Sequence, residues 1–332
     1  MKHVVIGLLA SVWLAAPAMA RNTAAEPHPA SYYPHDNQYA PPQLQKPQAS
    51  PDGVAAHILA CRFALALHAL GDAEEECGRA IALDGRNAQA FKLRGYAYLL
   101  EHRFERAGDD LRAGLRLAPT DPETLAGYGE SLAGLGHFDQ SLRWFGAAIA
   151  VAPRDARFRN ARCWARAGTG KDLNLALADC NTALQLAPSM AAALDSRGLV
   201  YLRLGRLAQA DADYADSLGQ RTFFATAWFG RGLSRLRRGR VDPGRADILK
   251  ARAIDPEIDA LFVRLGVLAP SCAGGMPQKT ACPEGNFPPV RSRQPLNPVA
   301  ATPRDQIASL LPQSGRPPSD RLAVCTRRRD EC

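Results

Sequence analysis

Eight cysteines, one Gly-Lys turn and several acidic pairs are the side chains of this 332-residue chain whose type and spacing could do chemistry. Gly168-Thr169-Gly170-Lys171 imitates a phosphate-cradling loop, in which backbone N–H groups and a lysine hold an anion. That loop also needs Gly at 165 and Ser or Thr at 172, where the chain has Ala165 and Asp172. It follows no strand pattern, so it reads as a turn between two helices. Gly-x-Ser-x-Gly, His-Glu-x-x-His and Cys-x-x-Cys are all missing from the sequence. A thiol nucleophile would need an adjacent base and a free thiolate. The acidic neighbours Asp109 and Asp110, and the run 74–76, fall on stretches that read as solvated helix faces. His28, His35 and Asp36 lack the ligand spacing of a formed metal site. The expectation is a non-enzyme with no cofactor and no metal.

The elements that must position these side chains are written as a repeat. A ladder of small residues runs Cys61, Gly95, Gly129, Cys163, Gly198, Gly232 and Gly266, with steps of 34, 34, 34, 35, 34 and 34. A second ladder, Ala80, Gly114, Ala148, Ala183, Ser217 and Ala251, carries the same slip. Larger residues do so too, at Cys77, Leu111, Phe145, Cys180, Tyr214 and Ile248, and Gly85, Pro119, Pro153, Pro188, Thr222 and Pro256 close the units. A period of this length indicates stacked units. Within each unit apolar residues recur at three- and four-residue spacing, as in Phe91, Tyr98 and Leu99, or Leu142, Phe145 and Ile149, which is a helix face. Turns near Gly136, Gly205 and Gly239 end the first helix of a unit, and proline stops the second. Small residues let helix axes approach while the large ones fill the gaps beside them. One hairpin cannot bury its own apolar face, so neighbours must stack.

With a large residue at position 4 of the unit, Gly at 8, aromatic or Leu at 11, Ala at 20, aromatic at 24, Ala at 27 and Pro at 32, residues 54–270 resemble the tetratricopeptide repeat family, in an exported, bacterial-type form. The resemblance implies an all-α fold, a right-handed solenoid of antiparallel helix hairpins, and use as a binding scaffold. The repeats fall at 54–87, 88–121, 122–155, 156–190, 191–224 and 225–258, with a capping helix at 257–270. In this family first-helix positions line the concave groove. Carried over, these are Arg62 and Leu65, then Lys92, Tyr96 and Leu99, then Glu130, Arg157, Asn160 and Trp164, then Asp195, Leu199, Arg203, Phe229, Leu233 and Arg237. The family's clamp for a terminal carboxylate, Lys at position 5 with Asn at 9, is not met, since Tyr96 follows Lys92 and Trp164 follows Asn160. What is expected is a groove with exposed aromatics and arginines, residue types enriched where proteins meet. The competing reading packs Trp164, Tyr96 and Phe229 between helices as core.

The repeat register also bears on the cysteines. Cys61 with Cys77, and Cys163 with Cys180, occupy positions 8 and 24 of their repeats, level with each other on facing helices of a hairpin turning near position 16. Each pair could staple its own hairpin, or all four could be small buried core residues. Residues 1–20 read as a secretory signal, with Lys2, an apolar run at 4–16 and Ala18-Met19-Ala20 as cleavage site. A membrane span is the alternative, but the run is shorter than the roughly 20 residues a span needs. A soluble mature chain, periplasmic or secreted, is expected, in a compartment that favours disulfides. Residues 21–53 form a Pro/Gln-rich linker, and 271–332 a Pro-rich basic arm, where Cys272 with Cys282 and Cys325 with Cys332 is one of three pairings. The net charge of +8, +7 without Lys2, is uneven, with eight basic residues at 231–252 against Asp242 and Asp247. Two functions follow: a groove that binds a protein or peptide segment, or an envelope module whose basic face holds an anionic polymer or surface. Nucleic acid is not an expected partner.

Overall fold

The computed structural model describes residues 53–269, which form helices and no strand. The proposed signal and arm, with Cys272, Cys282, Cys325 and Cys332, lie outside the described residues, as does the linker but for Gly53. Six hairpins follow one another: α1 (Val54–Ala66) with α2 (Leu70–Leu83), α3 (Ala88–Leu100) with α4 (Phe104–Leu117), α5 (Pro122–Gly134) with α6 (Phe138–Val151), α7 (Ala156–Thr169) with α8 (Leu173–Leu186), α9 (Ala191–Arg203) with α10 (Leu207–Gln220), and α11 (Ala225–Arg237) with α12 (Val241–Ile254). A short α13 (Ile258–Arg264) ends the stack.

Local chemistry sets these boundaries. Asn87, Asp121 and Asp155 close the repeats before α3, α5 and α7, and their side chains accept hydrogen bonds from the backbone N–H of Ala90, Thr124 and Arg157. Gly136, Gly205 and Gly239 turn the chain with φ of +82, +72 and +75°. The same turn position holds His68 and His102 in the first two repeats, also left-handed at φ 60 and 58°. The inserted residue lengthens α7 to 14 residues where the other first helices have 13. The turn after it carries two left-handed residues, Gly170 and Asp172.

Packing between the helices of a hairpin follows one rule with two solutions. A Cβ added to Gly95 would lie 2.7 Å from Leu111 Cγ, one on Gly129 3.0 Å from Phe145 Cε1, one on Gly198 2.8 Å from Tyr214 Cε1 and one on Gly232 2.7 Å from Ile248 Cγ1. Each glycine is thus the hole for the large residue of its partner helix. In the first and fourth repeats a disulfide occupies the same two slots, Cys61–Cys77 and Cys163–Cys180, each with Cα atoms 5.4 Å apart. The hairpin separation that admits a ring against glycine also suits a disulfide.

Between hairpins, each second helix packs on the following first helix, from α2 on α3 to α12 on α13, and each first helix also touches the next first helix, from α1 on α3 to α11 on α13. The first helices therefore form the inner layer of an α-solenoid, where curvature brings axes together. The capping helix is shorter than the expected 257–270. It stops at Arg264 because Gly266 takes φ +65°, so the seventh rung of the small-residue ladder makes a turn instead of a helix contact. Phe262 and Leu265 still bury against the last hairpin.

Candidate functional site

The inner layer holds the groove positions, and the structure divides them into two polar clusters joined by buried apolar side chains. In the first cluster, Lys92 Nζ of α3 donates to Glu123 Oε2 at 3.0 Å and lies 3.4 Å from Asp121 Oδ2. Arg157, at the start of α7, meets Asp155 Oδ2 at 2.6 Å and Glu123 Oε1 at 3.6 Å. The bond to Asp155 raises the Arg157 pKa above its usual value. This cluster stitches the N-terminal ends of three first helices together.

The second cluster lies between α9, α10 and α11. Asp195 is 5% exposed, and Thr226 Oγ1 of α11 donates to its Oδ2 at 2.8 Å. Burial pushes its carboxyl up to about 7, against the smaller opposing effect of the Thr226 hydrogen bond. The Tyr214 ring fills the space left by Gly198 and Gly230, and burial and the nearby Asp195 charge both raise its hydroxyl well above the ordinary tyrosine value. Arg237 is lowered to about 10 by burial. Arg203 donates from Nη1 to the backbone carbonyl of Leu265, tying α9 to the cap. In α7, Asn160 is 2% exposed.

The exposed-aromatic expectation is corrected. Tyr96, Trp164 and Phe229 are 2, 6 and 1% exposed and belong to the core. Neighbouring hairpins cover these inner positions. Tyr96 lies beneath Gly127 of α5, where a Cβ would come within 3.2 Å of its ring, and its hydroxyl donates to the Glu123 carbonyl at 2.8 Å. Trp164 stands edge-on to Phe138, centroids 5.6 Å apart, and Phe229 packs on Phe262 of the cap at 4.5 Å. Leu65, Leu99, Leu199, Leu233 and Glu130 are buried as well, while Arg62 is exposed. Of the groove positions it is therefore arginine that reaches water, with Arg62 exposed and Arg157, Arg203 and Arg237 half-buried.

A set of residues escaped the sequence reading. Arg94, Arg162, Arg197 and Arg231, at position 7 of their repeats, meet Asp110, Asp179, Asp213 and Asp247 at position 23 through two hydrogen bonds each, all between 2.6 and 2.9 Å. In the third repeat Tyr128 and Trp144 hold these slots edge-to-face at 4.9 Å. The signal was present at the repeat spacing, an arginine ladder beside the glycine ladder.

The same kind of pairing runs through the basic stretch at 231–252. Arg235 bonds Asp211 and Asp247, Arg238 and Arg240 reach Asp211, and Arg252 makes two bonds to Asp259. Arg231 and Lys250 also sit over the Trp228 ring, at 4.5 and 3.9 Å from its centroid. Two carboxylates outside that stretch, Asp211 and Asp259, thus share in its ion pairs. Among the described residues no group of three His, Cys, Asp or Glu is placed to hold a metal, and no helix is long and apolar enough to cross a membrane.

Residues 129–191 and 196–257 match the family model described as tetratricopeptide repeat. No curated protein matches the chain. Among solved structures, one chain of the APC/C hetero-tetramer Cut9-Hcn1 is similar at TM-score 0.57 and 16% identity, over 65% of this chain and 42% of that one. This chain thus spans less than half of that relative's length. A tetratricopeptide repeat protein from Parabacteroides merdae ATCC 43184 is similar at TM-score 0.54 and 18% identity, over 66% and 85%. PilW, a widely conserved type IV pilus biogenesis factor, is similar at TM-score 0.53 and 18% identity, over 64% and 98%. At these identities the likeness is one of fold. The family-model match, the 34-residue period and the stacked helices of the described residues identify the repeats of this solenoid as tetratricopeptide repeats.

Proposed function

We propose that this protein is an exported, non-catalytic scaffold that binds a protein or peptide segment along the inner face of its solenoid. Tetratricopeptide arrays serve in general as interaction scaffolds, and the reading of this chain rests on one observation. Only the first helices build the inner layer, so all six hairpins contribute to one inner face, on whose helices Arg62 is exposed, Arg157 and Arg203 are half-buried and Lys92, Asn160 and Asp195 are buried. Export is supported by the signal pattern of residues 1–20 and by two cysteine pairs at disulfide distance, which suit an oxidising compartment.

Site-specific photocrosslinking in the envelope fraction tests this. A crosslinker at Arg62 or Arg157 should capture a discrete protein, and one at Arg143 on the exposed side of α6 should not. Capture from Arg143 alone would overturn the groove. Fusion of residues 1–53 to a reporter active only outside the cytoplasm tests export, and an inactive fusion would refute it. The anionic-polymer reading is the weaker one, because Arg231, Arg235, Arg238, Arg240 and Arg252 of its face are already bonded to Asp211, Asp247 or Asp259.

A further inference from the structure

Two buried acceptors of the inner layer are left without a donor. Lys92 and Arg157 are met by Asp121, Glu123 and Asp155, and Arg203 is met by the Leu265 carbonyl. By contrast, Asn160 Oδ1 and Asp195 Oδ1 have no hydrogen-bond partner among the described residues. Both side chains are more than nine-tenths buried. An acceptor buried without a donor costs roughly 1–3 kcal/mol, so two retained in one place ask for a donor from elsewhere. They share position 5 of successive repeats, on α7 and α9, which pack directly against each other. Adjacent helix axes lie about 8–10 Å apart, a span that roughly three residues of extended chain cover. Asp195 Oδ2 is already held by Thr226, which fixes the carboxylate and leaves Oδ1 for a ligand.

We propose that the inner face at α7, α9 and α11 selects a segment carrying a lysine or arginine, whose cation is taken by Asp195 Oδ1 while an N–H of the same segment is taken by Asn160 Oδ1. The proposal rests on the groove reading above and names the chemistry of its partner. It is opposite in sign to a clamp for a carboxylate tail, which needs spare donors. Asp195, set between two helices and fixed by Thr226, is the specificity-determining residue.

The test selects a phage-displayed library of random dodecapeptides on the immobilised full-length chain, and in parallel on Asp195→Asn and Asn160→Ala. Wild type should enrich peptides with a Lys or Arg at one fixed position. Asp195→Asn should lose that enrichment, and the selected wild-type peptide, fluorescein-labelled, should bind it at least tenfold more weakly in polarisation. Asn160→Ala should weaken the same peptide several-fold without changing the selected residue type. Both variants should keep the far-ultraviolet helical signal of wild type, which separates loss of the acceptor from loss of fold. Acidic or apolar winners, or the same cationic preference in Asp195→Asn, would overturn the selectivity while leaving the groove standing. No enrichment on wild type would overturn the groove and this inference together.

Discussion

Replacing Asp195 by Asn should change how the stability of the solenoid depends on pH. The carboxyl is 5% exposed, has one hydrogen bond, from Thr226 Oγ1, and titrates near 7 instead of 3.8 because burial disfavours its charge. The folded chain therefore holds a proton between about pH 4 and pH 7 that the unfolded chain has released. The stability this group contributes is complete below the unfolded value and is lost as pH rises through about 7. A displacement of about three pH units corresponds to about 4 kcal/mol between those limits. Asn has the same shape, keeps an oxygen for the Thr226 hydroxyl and carries no charge. Urea unfolding of both proteins, followed by far-ultraviolet circular dichroism at pH 4, 6 and 8, checks this. The other ionisable groups cancel in the difference between the proteins. Relative to wild type, Asp195→Asn should gain stability as pH rises, reaching about 4 kcal/mol at pH 8 against pH 4. A difference that stays within about 1 kcal/mol across that range, or a variant that loses ground with rising pH, would refute the assignment of an unpaired buried carboxyl.

Other outcomes follow from the packing. Replacing both Cys163 and Cys180 by Ser should cost about 3 kcal/mol, the loop-closure value for a bridge of this separation. Detecting either cysteine as a free thiol in protein isolated without reductant would end that reading. Gly230→Ala should cost about 1–3 kcal/mol by overpacking, since its Cβ would lie 2.7 Å from Tyr214 Cε2 and closer still to Cζ and Oη. In a Tyr214→Leu background the loss should shrink and can reverse towards the gain of about 1 kcal/mol that Ala brings to a helix, read from a double-mutant cycle of thermal melts. Asp179→Ala should lose about 3 kcal/mol in urea unfolding. The carboxylate, with a side chain only 4% exposed, bonds Arg162 and Arg166 and lies 3.7 Å from Arg159. A loss below about 1 kcal/mol would show that water replaces it without penalty.

How legible each feature was depends on whether its partner lies in the same hairpin. The glycine holes and the cysteine pairs were readable because positions 8 and 24 face each other across one turn of fixed length, so a constant separation in sequence becomes a constant contact. The Arg–Asp ladder obeys the same separation, 16 or 17 residues, and was equally readable. It was lost by counting charge along the segment 231–252 instead of across the hairpin. His68 and His102 are different, since nothing in residue type marks a left-handed histidine, and only alignment with Gly136, Gly205 and Gly239 exposes it. The inner face was the least legible, because it is made between hairpins. Whether an inner position meets water depends on how far a neighbouring hairpin leans over it, and that lean is set by residues one repeat away, such as Gly127 above Tyr96 or Phe262 against Phe229. Asp195 shows the consequence: its one bond comes from Thr226 in the next repeat, 31 residues on. A period in the sequence fixes what each hairpin does with itself, whereas recognition by a solenoid resides in the seams, where the twist between units decides which acceptors stay unspent.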